Sequence, residues 1–220
     1  MDRTQEETEL GAAHATDGGA SGLLALTDWR RRVFDLYRRA REAPASEPAW
    51  ATWREGRDEL FRTHEASPIP IAARRSYVST PFFAYDPAAR VSAVVTDAEH
   101  RRMEIGGSHG TFGATRVAVA GFELEGALCS LDLFWLDGYG GGLFLPFRDA
   151  TSGASSYGAG RYLLDTVKGA DLGRDGGGLV LDFNFAFNPS CAYDPRWACP
   201  LAPPDNRLSL AIEAGERAPA

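Results

Sequence analysis

The hydrophobic pattern of this chain changes period once, near Ser76, and does not change back. Before that point apolar residues recur every three to four positions. After it they alternate in twos, in short runs separated by glycine. No strand–helix–strand alternation and no internal repeat appears, so a parallel sheet with crossover helices is excluded. The order predicts a mainly β, α+β domain: an antiparallel β-barrel or sandwich with two N-terminal helices packed against it.

The helical part is expected over 27–64. Thr27 is a plausible N-cap, and Trp29, Val33, Leu36, Tyr37 and Ala40 then share one face. Arg30, Arg31, Arg32, Arg38, Arg39 and Arg41 lie largely off that face. They read as a solvated surface, with a partner-binding face as the alternative. After the break at 43–48, Ser46 caps a second helix with Trp50, Trp53, Arg57, Leu60 and Phe61 on one side. Asp58 and Arg62 are spaced to pair, and the helix is expected to stop near His64, before Pro68 and Pro70. The tryptophans read as contacts between elements.

The mainly β part is expected over 76–216. Val91, Ala93 and Val95 alternate. Residues 115–119 read as a strand, Ala120-Gly121 as a turn, 122–125 as the return strand and Gly126 as a bend. Further strands are expected at 128–136, 143–147, 161–165, 179–184 and 208–212.

Residues 1–22 read as a disordered acidic tail ahead of a single globular domain over 23–220. The tail holds −4 of the formal −7 charge, which leaves the remainder only mildly acidic and disfavours nucleic acid as a partner. The start of the chain lacks a basic segment followed by an apolar run, and no apolar run is long enough to span a bilayer. The expectation is a cytoplasmic protein without membrane contact. Its three cysteines are too few for a disulfide scaffold.

The distinctive chemistry lies between Leu136 and Arg207. Twelve of the 24 glycines fall within 136–178. Hairpins need glycine, and ligands that sit against main chain need it too. The run from Gly138 to Gly142 lacks a Gly-Lys-Ser/Thr ending and leads into no helix, so it is neither a phosphate loop nor a dinucleotide fingerprint. Arg148 and Asp149 end an apolar strand, and Tyr157, Arg161 and Tyr162 follow a turn. If the two segments pair, Arg148 and Arg161 approach each other and can bind a carboxylate or phosphate, with the tyrosines as donors. The competing reading is a structural ion pair, Arg148–Asp149 or Arg161–Asp165. Asp182, Asn184 and Asn188 alternate with Phe183, Phe185 and Phe187 and share a side that is either a ligand face or solvent. Cys191 and Cys199 read as buried thiols, a reactive or redox pair, or, least favoured, metal ligands. Asn206 is expected to bridge backbone groups. No cofactor and no metal is expected.

Several runs carry a family resemblance: Leu143-Phe144-Leu145-Pro146-Phe147-Arg148-Asp149-Ala150-Thr151, Tyr157-Gly158-Ala159-Gly160-Arg161-Tyr162, Leu181-Asp182-Phe183-Asn184, Asn188-Pro189-Ser190-Cys191-Ala192-Tyr193, Cys199-Pro200-Leu201-Ala202-Pro203-Pro204 and Asn206-Arg207-Leu208. Across about 29–216 the chain resembles the bacterial and archaeal family known as domain of unknown function 1684. The resemblance implies a stand-alone, often cytoplasmic domain and supplies no reaction. Ala159 stands where a third glycine is expected.

The leading functional expectation is a pocket for a small polar or anionic metabolite, built from Arg148, Asp149, Tyr157, Arg161, Tyr162, Asn184 and Cys191. Whether the ligand is turned over is left open. Two alternatives stand beside it: an interaction module using the arginine-rich helix, and a thiol-dependent enzyme using Cys191 or Cys199.

Overall fold

The computed structural model describes residues 19–219. Most of the expected acidic tail, residues 1–18, lies outside the described residues. Residues 19–22 are the first turn of helix α1, Gly19–Glu42, which begins well before Thr27. Thr27 is therefore not the cap. Its hydroxyl donates to the Leu23 carbonyl at 2.8 Å, inside the helix. The Leu- and Ala-rich run from Leu23 to Leu26 is good helix former and carries the helix through.

Helix α2, Glu47–Thr63, starts where expected, with the Ser46 hydroxyl accepting from Ala49 N at 3.4 Å. It ends at His64. The Asp58–Arg62 pair does not form. Asp58 instead accepts from the Tyr77 hydroxyl at 2.5 Å and Thr80 N at 2.8 Å, while Arg62 pairs with Glu59. A single turn, α3, Ile71–Arg74, follows.

Seven antiparallel strands form one sheet in the order β5-β4-β3-β2-β1-β7-β6. They are β1 Arg90–Gly106, β2 Thr111–Leu124, β3 Ala127–Leu136, β4 Gly142–Phe147, β5 Arg161–Asp165, β6 Arg174–Asp175 and β7 Gly178–Asp182. The expected turn at Ala120-Gly121 is corrected: both residues lie inside β2, paired with Val95 and Val94 of β1. Ala118, Ala120, Phe122 and Leu124 are all buried, and that unbroken alternation outweighs the turn-like dipeptide. The chain reverses at Glu125 and Gly126, both at positive φ (52° and 76°), as a two-residue type I′ hairpin requires.

The expected strand over 179–184 ends early. Asp182 accepts from Asn184 N at 3.0 Å and turns the chain into a 3-10 turn, Phe183–Phe185. That break keeps the sheet open rather than closed into a barrel. The gap is spanned at one point, where Tyr162 of β5 and Phe187 exchange backbone hydrogen bonds of 2.8 and 3.0 Å. The expected strand over 208–212 is corrected too. The segment makes one bridge, Arg148 with Arg207, and no ladder; its alternation reports the burial of Leu208 and Ile212 alone.

Two apolar cores lie on opposite faces of the sheet, because neighbouring residues such as Leu133 and Phe134 belong to different ones. One takes Leu131, Leu133, Leu145 and Phe147 against Leu208, Ile212 and Ala214 of the C-terminal segment. The other takes Phe134, Phe144 and Tyr162 against Val33, Tyr37, Trp50 and Trp53 of the two helices, as the tryptophan-rich stripes predicted. Among the described residues no helix is long and apolar enough to cross a membrane.

Candidate functional site

The expected cluster divides into separate neighbourhoods. Arg161 is 1 % exposed and Asp149 is wholly buried. One Arg161 nitrogen, Nη2, donates to Asp149 at 2.6 Å and to the Ile212 carbonyl at 3.0 Å. The other, Nη1, donates to the carbonyls of Ala214 at 2.5 Å and Glu216 at 3.1 Å. Asp149 also holds its own turn, accepting from Thr151 N at 2.7 Å and from the Thr151 hydroxyl at 2.5 Å. Burial pulls the Arg161 pKa below its ordinary value against the opposing pull of Asp149. The guanidinium is thus a clamp on the C-terminal segment, and its Nη donors are already satisfied by the protein. The partner of Asp149 is Arg161, while Asp165 pairs with Lys168.

Arg148 does not join this cluster. Its backbone pairs with Asn206, and its Nε is buried without a partner. Asn184 is fully buried, not on a solvent face. It exchanges hydrogen bonds with the Asp86 backbone at 2.9 and 2.7 Å, and its carbonyl accepts from Trp50 Nε1 at 2.8 Å. Asn206 bridges backbone groups as expected, accepting from Asp132 N and donating to the carbonyls of Asp132 and Pro146. The first-helix arginines Arg32 and Arg38 pair with acids on their own helix. Tyr157 and Cys191 approach to 4.0 Å.

Tyr162 lines a different feature, a partly enclosed cavity of about 40 Å³ between the helices and the β5 end of the sheet. Successive turns of α1 contribute Trp29, Val33 and Tyr37, and α2 contributes Arg57 and Phe61. Lys168 and the stretch from Phe187 to Ser190, with Tyr193, complete the wall. Arg57 lies on the faces of Phe61 and Phe187, 4.5 and 5.1 Å from the ring centres. Its Nε donates to Glu216 at 2.5 Å. The same carboxylate accepts from Asn188 N at 2.6 Å and the Tyr193 hydroxyl at 2.8 Å. Burial works against the Arg57 charge, but Glu216, Tyr193 and Tyr37 together outweigh it and hold the pKa above the ordinary arginine range.

Two residues of the lining carry a buried polar atom without a partner among the described residues: Tyr37 at its hydroxyl and Asn188 at Oδ1. The amide orientation is fixed, because Asn188 Nδ2 donates to the Arg217 carbonyl at 2.7 Å. Burial pushes the tyrosine hydroxyls of Tyr37, Tyr162 and Tyr193 well above their usual pKa. The charged residues in the wall are both cations, Arg57 and Lys168. Their counter-ions Glu216 and Asp165 are not part of the lining. Sequence reasoning missed Tyr37, Arg57, Lys168, Tyr193 and Glu216 as site residues, and had Asn188 only on a side that was either a ligand face or solvent. One signal was present: Arg57 is the lone charge on the apolar stripe of α2.

No curated protein matches the chain. The solution NMR structure of an uncharacterized protein from Haloarcula marismortui matches with a TM-score of 0.55 and 37% identity. That match covers 78% of this chain and 93% of the other, and it has the same α+β architecture. The family described as Protein of unknown function (DUF1684) matches residues 75–217, which hold the whole sheet, the Asp149–Arg161 clamp, the Lys168, Asn188 and Tyr193 side of the cavity, and Glu216 behind it. On both counts the chain belongs to the DUF1684 family.

Proposed function

We propose that the protein binds a small anionic metabolite in the cavity between its helices and sheet. One observation carries the reading: two residues of the lining, Tyr37 and Asn188, each hold a buried polar atom without a partner among the described residues, and the charged lining of the cavity is cationic. An unsatisfied buried polar atom costs about 1–3 kcal/mol, so a ligand that pairs with both recovers that cost. The volume suits a carboxylate-sized head group, since a single water needs roughly 10–15 Å³ by the same measure. The aromatic walls, Trp29, Phe61 and Phe187, suit an apolar body. The tyrosines and Arg57 are shifted away from neutrality, whereas general acid–base catalysts work best near the operating pH. The cavity therefore serves binding in preference to proton transfer.

A thermal-shift and NMR screen of small carboxylates and oxoanions against the full chain tests this. A ligand at 100 times its Kd adds roughly 2.7 kcal/mol of stability. Lys168 is part-exposed but is the counter-ion of buried Asp165, so Lys168→Met should weaken binding by roughly tenfold, about 1.4 kcal/mol, and lower stability as well, with circular dichroism checking that it folds. Tyr37→Phe should weaken it as well. If no anion shifts the melting temperature or the Tyr37 and Asn188 resonances, the reading fails.

A further inference from the structure

β1 loses its neighbour on one side part-way along. β7 pairs with residues 90–93 and goes no further. At the far end Leu201 N donates to the Gly106 carbonyl at 2.8 Å, and Pro200 bridges Gly107. Between those two stops, residues 94–105 have β2 as their only strand neighbour, and among the described residues no backbone group bonds to their other edge. Such an edge is a template for a further strand. Val94 and Val95 stand 67 % and 45 % exposed on it, although β-branched side chains are normally covered by cross-strand neighbours. Charge along 97–102 is split: Asp97 and Glu99 come first, then His100, Arg101 and Arg102. The Asp97 side chain has no partner among the described residues. That of Arg102, 80 % exposed, reaches Asp137 at 3.2 Å.

We propose that the free edge of β1 binds a second copy of this chain, β1 against β1 in antiparallel pairing about a two-fold axis between Glu99 and His100. Three observations select that register. The first is length: it sets 94–105 against 105–94 of the copy, which fills the gap between the end of β7 and the 199–201 loop. The second is charge: Asp97 faces Arg102 of the copy, twice by symmetry, and Glu99 faces His100. The third is the side on which each residue lies. Asp97 and Arg102 are five apart and would point opposite ways in a regular strand. Between Asp97, opposite Ala118, and Arg101, opposite Arg116, β1 carries three residues where β2 has one. This bulge reverses the alternation. Asp97 and Ala118 share the side of the Leu131 core, whereas Met103 and Ile105 turn to the helix side, which puts Arg102 on the same side as Asp97. Val94 then meets Ile105 of the copy, and Thr96 meets Met103, both on the helix side. Bulges and charges ordinarily guard an edge; here the bulge brings the opposite charges into one register.

The test uses the full chain without ligand, so it stands or falls apart from the cavity. Sedimentation velocity from roughly 1 μM to 1 mM should show a monomer–dimer equilibrium. Asp97→Arg and Arg102→Asp each set like charges opposite one another and should raise the dimer dissociation constant roughly tenfold. Mixed together, the two single variants should dimerise as the parent does, because each supplies the charge that the other lacks. The double variant, with the charges exchanged, should do so as well. Both positions are exposed, and circular dichroism checks that each variant is folded. Hydrogen exchange should show the edge amides of 94–105 protected in the concentrated parent and released on dilution. A monomer at every concentration overturns the proposal. So does a dimer indifferent to both single substitutions, one that neither mixing nor the double variant restores, or one whose 94–105 amides exchange as fast as in the monomer.

Discussion

Arg161 shows what one buried cation can organise. It is surrounded by one carboxylate and three carbonyls, so neither shortening it nor neutralising it is neutral for the fold. Arg161→Met strands Asp149 in the core and should cost about 3–5 kcal/mol, read as a lower urea midpoint. Arg161→Lys should recover little, because an ammonium cannot reproduce the planar fork. Asp182 gives a pH signature. Burial raises its pKa above 3.8, with hydrogen bonds from Asn184 opposing. The native carboxyl therefore takes up its proton at higher pH than the unfolded one. Its contribution to stability is fully present below 3.8 and lost as pH rises through the native value. A carbon-detected NMR titration should place the native midpoint above 3.8, and Asp182→Asn should remove that part of the pH dependence. At this scale the sequence was partly legible. Arg161 and Asp149 stood out, but the other partners of Arg161 are backbone carbonyls 51 to 55 residues further on, which residue type does not advertise.

Among the elements, the helices and most strands were legible because burial on one face repeats with the period of the backbone. What failed was local punctuation. Ala120-Gly121 looks like a turn and lies mid-strand, while Glu125-Gly126 turns the chain although Glu is an uncommon residue at positive φ. That hairpin can be improved. Glu125→Asn should stabilise the protein by about 0.5–1 kcal/mol, and Gly126→Ala should destabilise it by about 1 kcal/mol, both measured by denaturant titration. The 208–212 segment was misread for another reason. Period two reports which side chains are buried, not whether a neighbouring strand completes a ladder.

Across the whole molecule, Glu216 ties together parts that the sequence keeps far apart. Its carboxylate accepts from Arg57 on α2, 159 residues away, and from the chain after β7 at Asn188 and Tyr193. Gly215, at φ 79°, lets the chain lie against the Phe183 and Ala186 carbonyls, where a Cβ would come within 2.6 and 2.7 Å. Glu216→Ala leaves Arg57 buried without its counter-ion and should cost about 3–5 kcal/mol and open the cavity, read by calorimetry and by tyrosine and tryptophan fluorescence. The cavity itself was the least legible feature, since its wall is drawn from four separated stretches.

The placement of those ties also sets an order of events. A ribosome delivers Arg57 and Arg161 long before residues 212–216, whose carboxylate and carbonyls receive them. A nascent chain that has grown only to Leu201 has two cations committed to burial and nothing yet to neutralise or solvate them there. Docking of the helices, closure over the sheet and creation of the cavity therefore wait for one late segment. The domain should fold in a single step once residues 212–216 have emerged, not piece by piece before them.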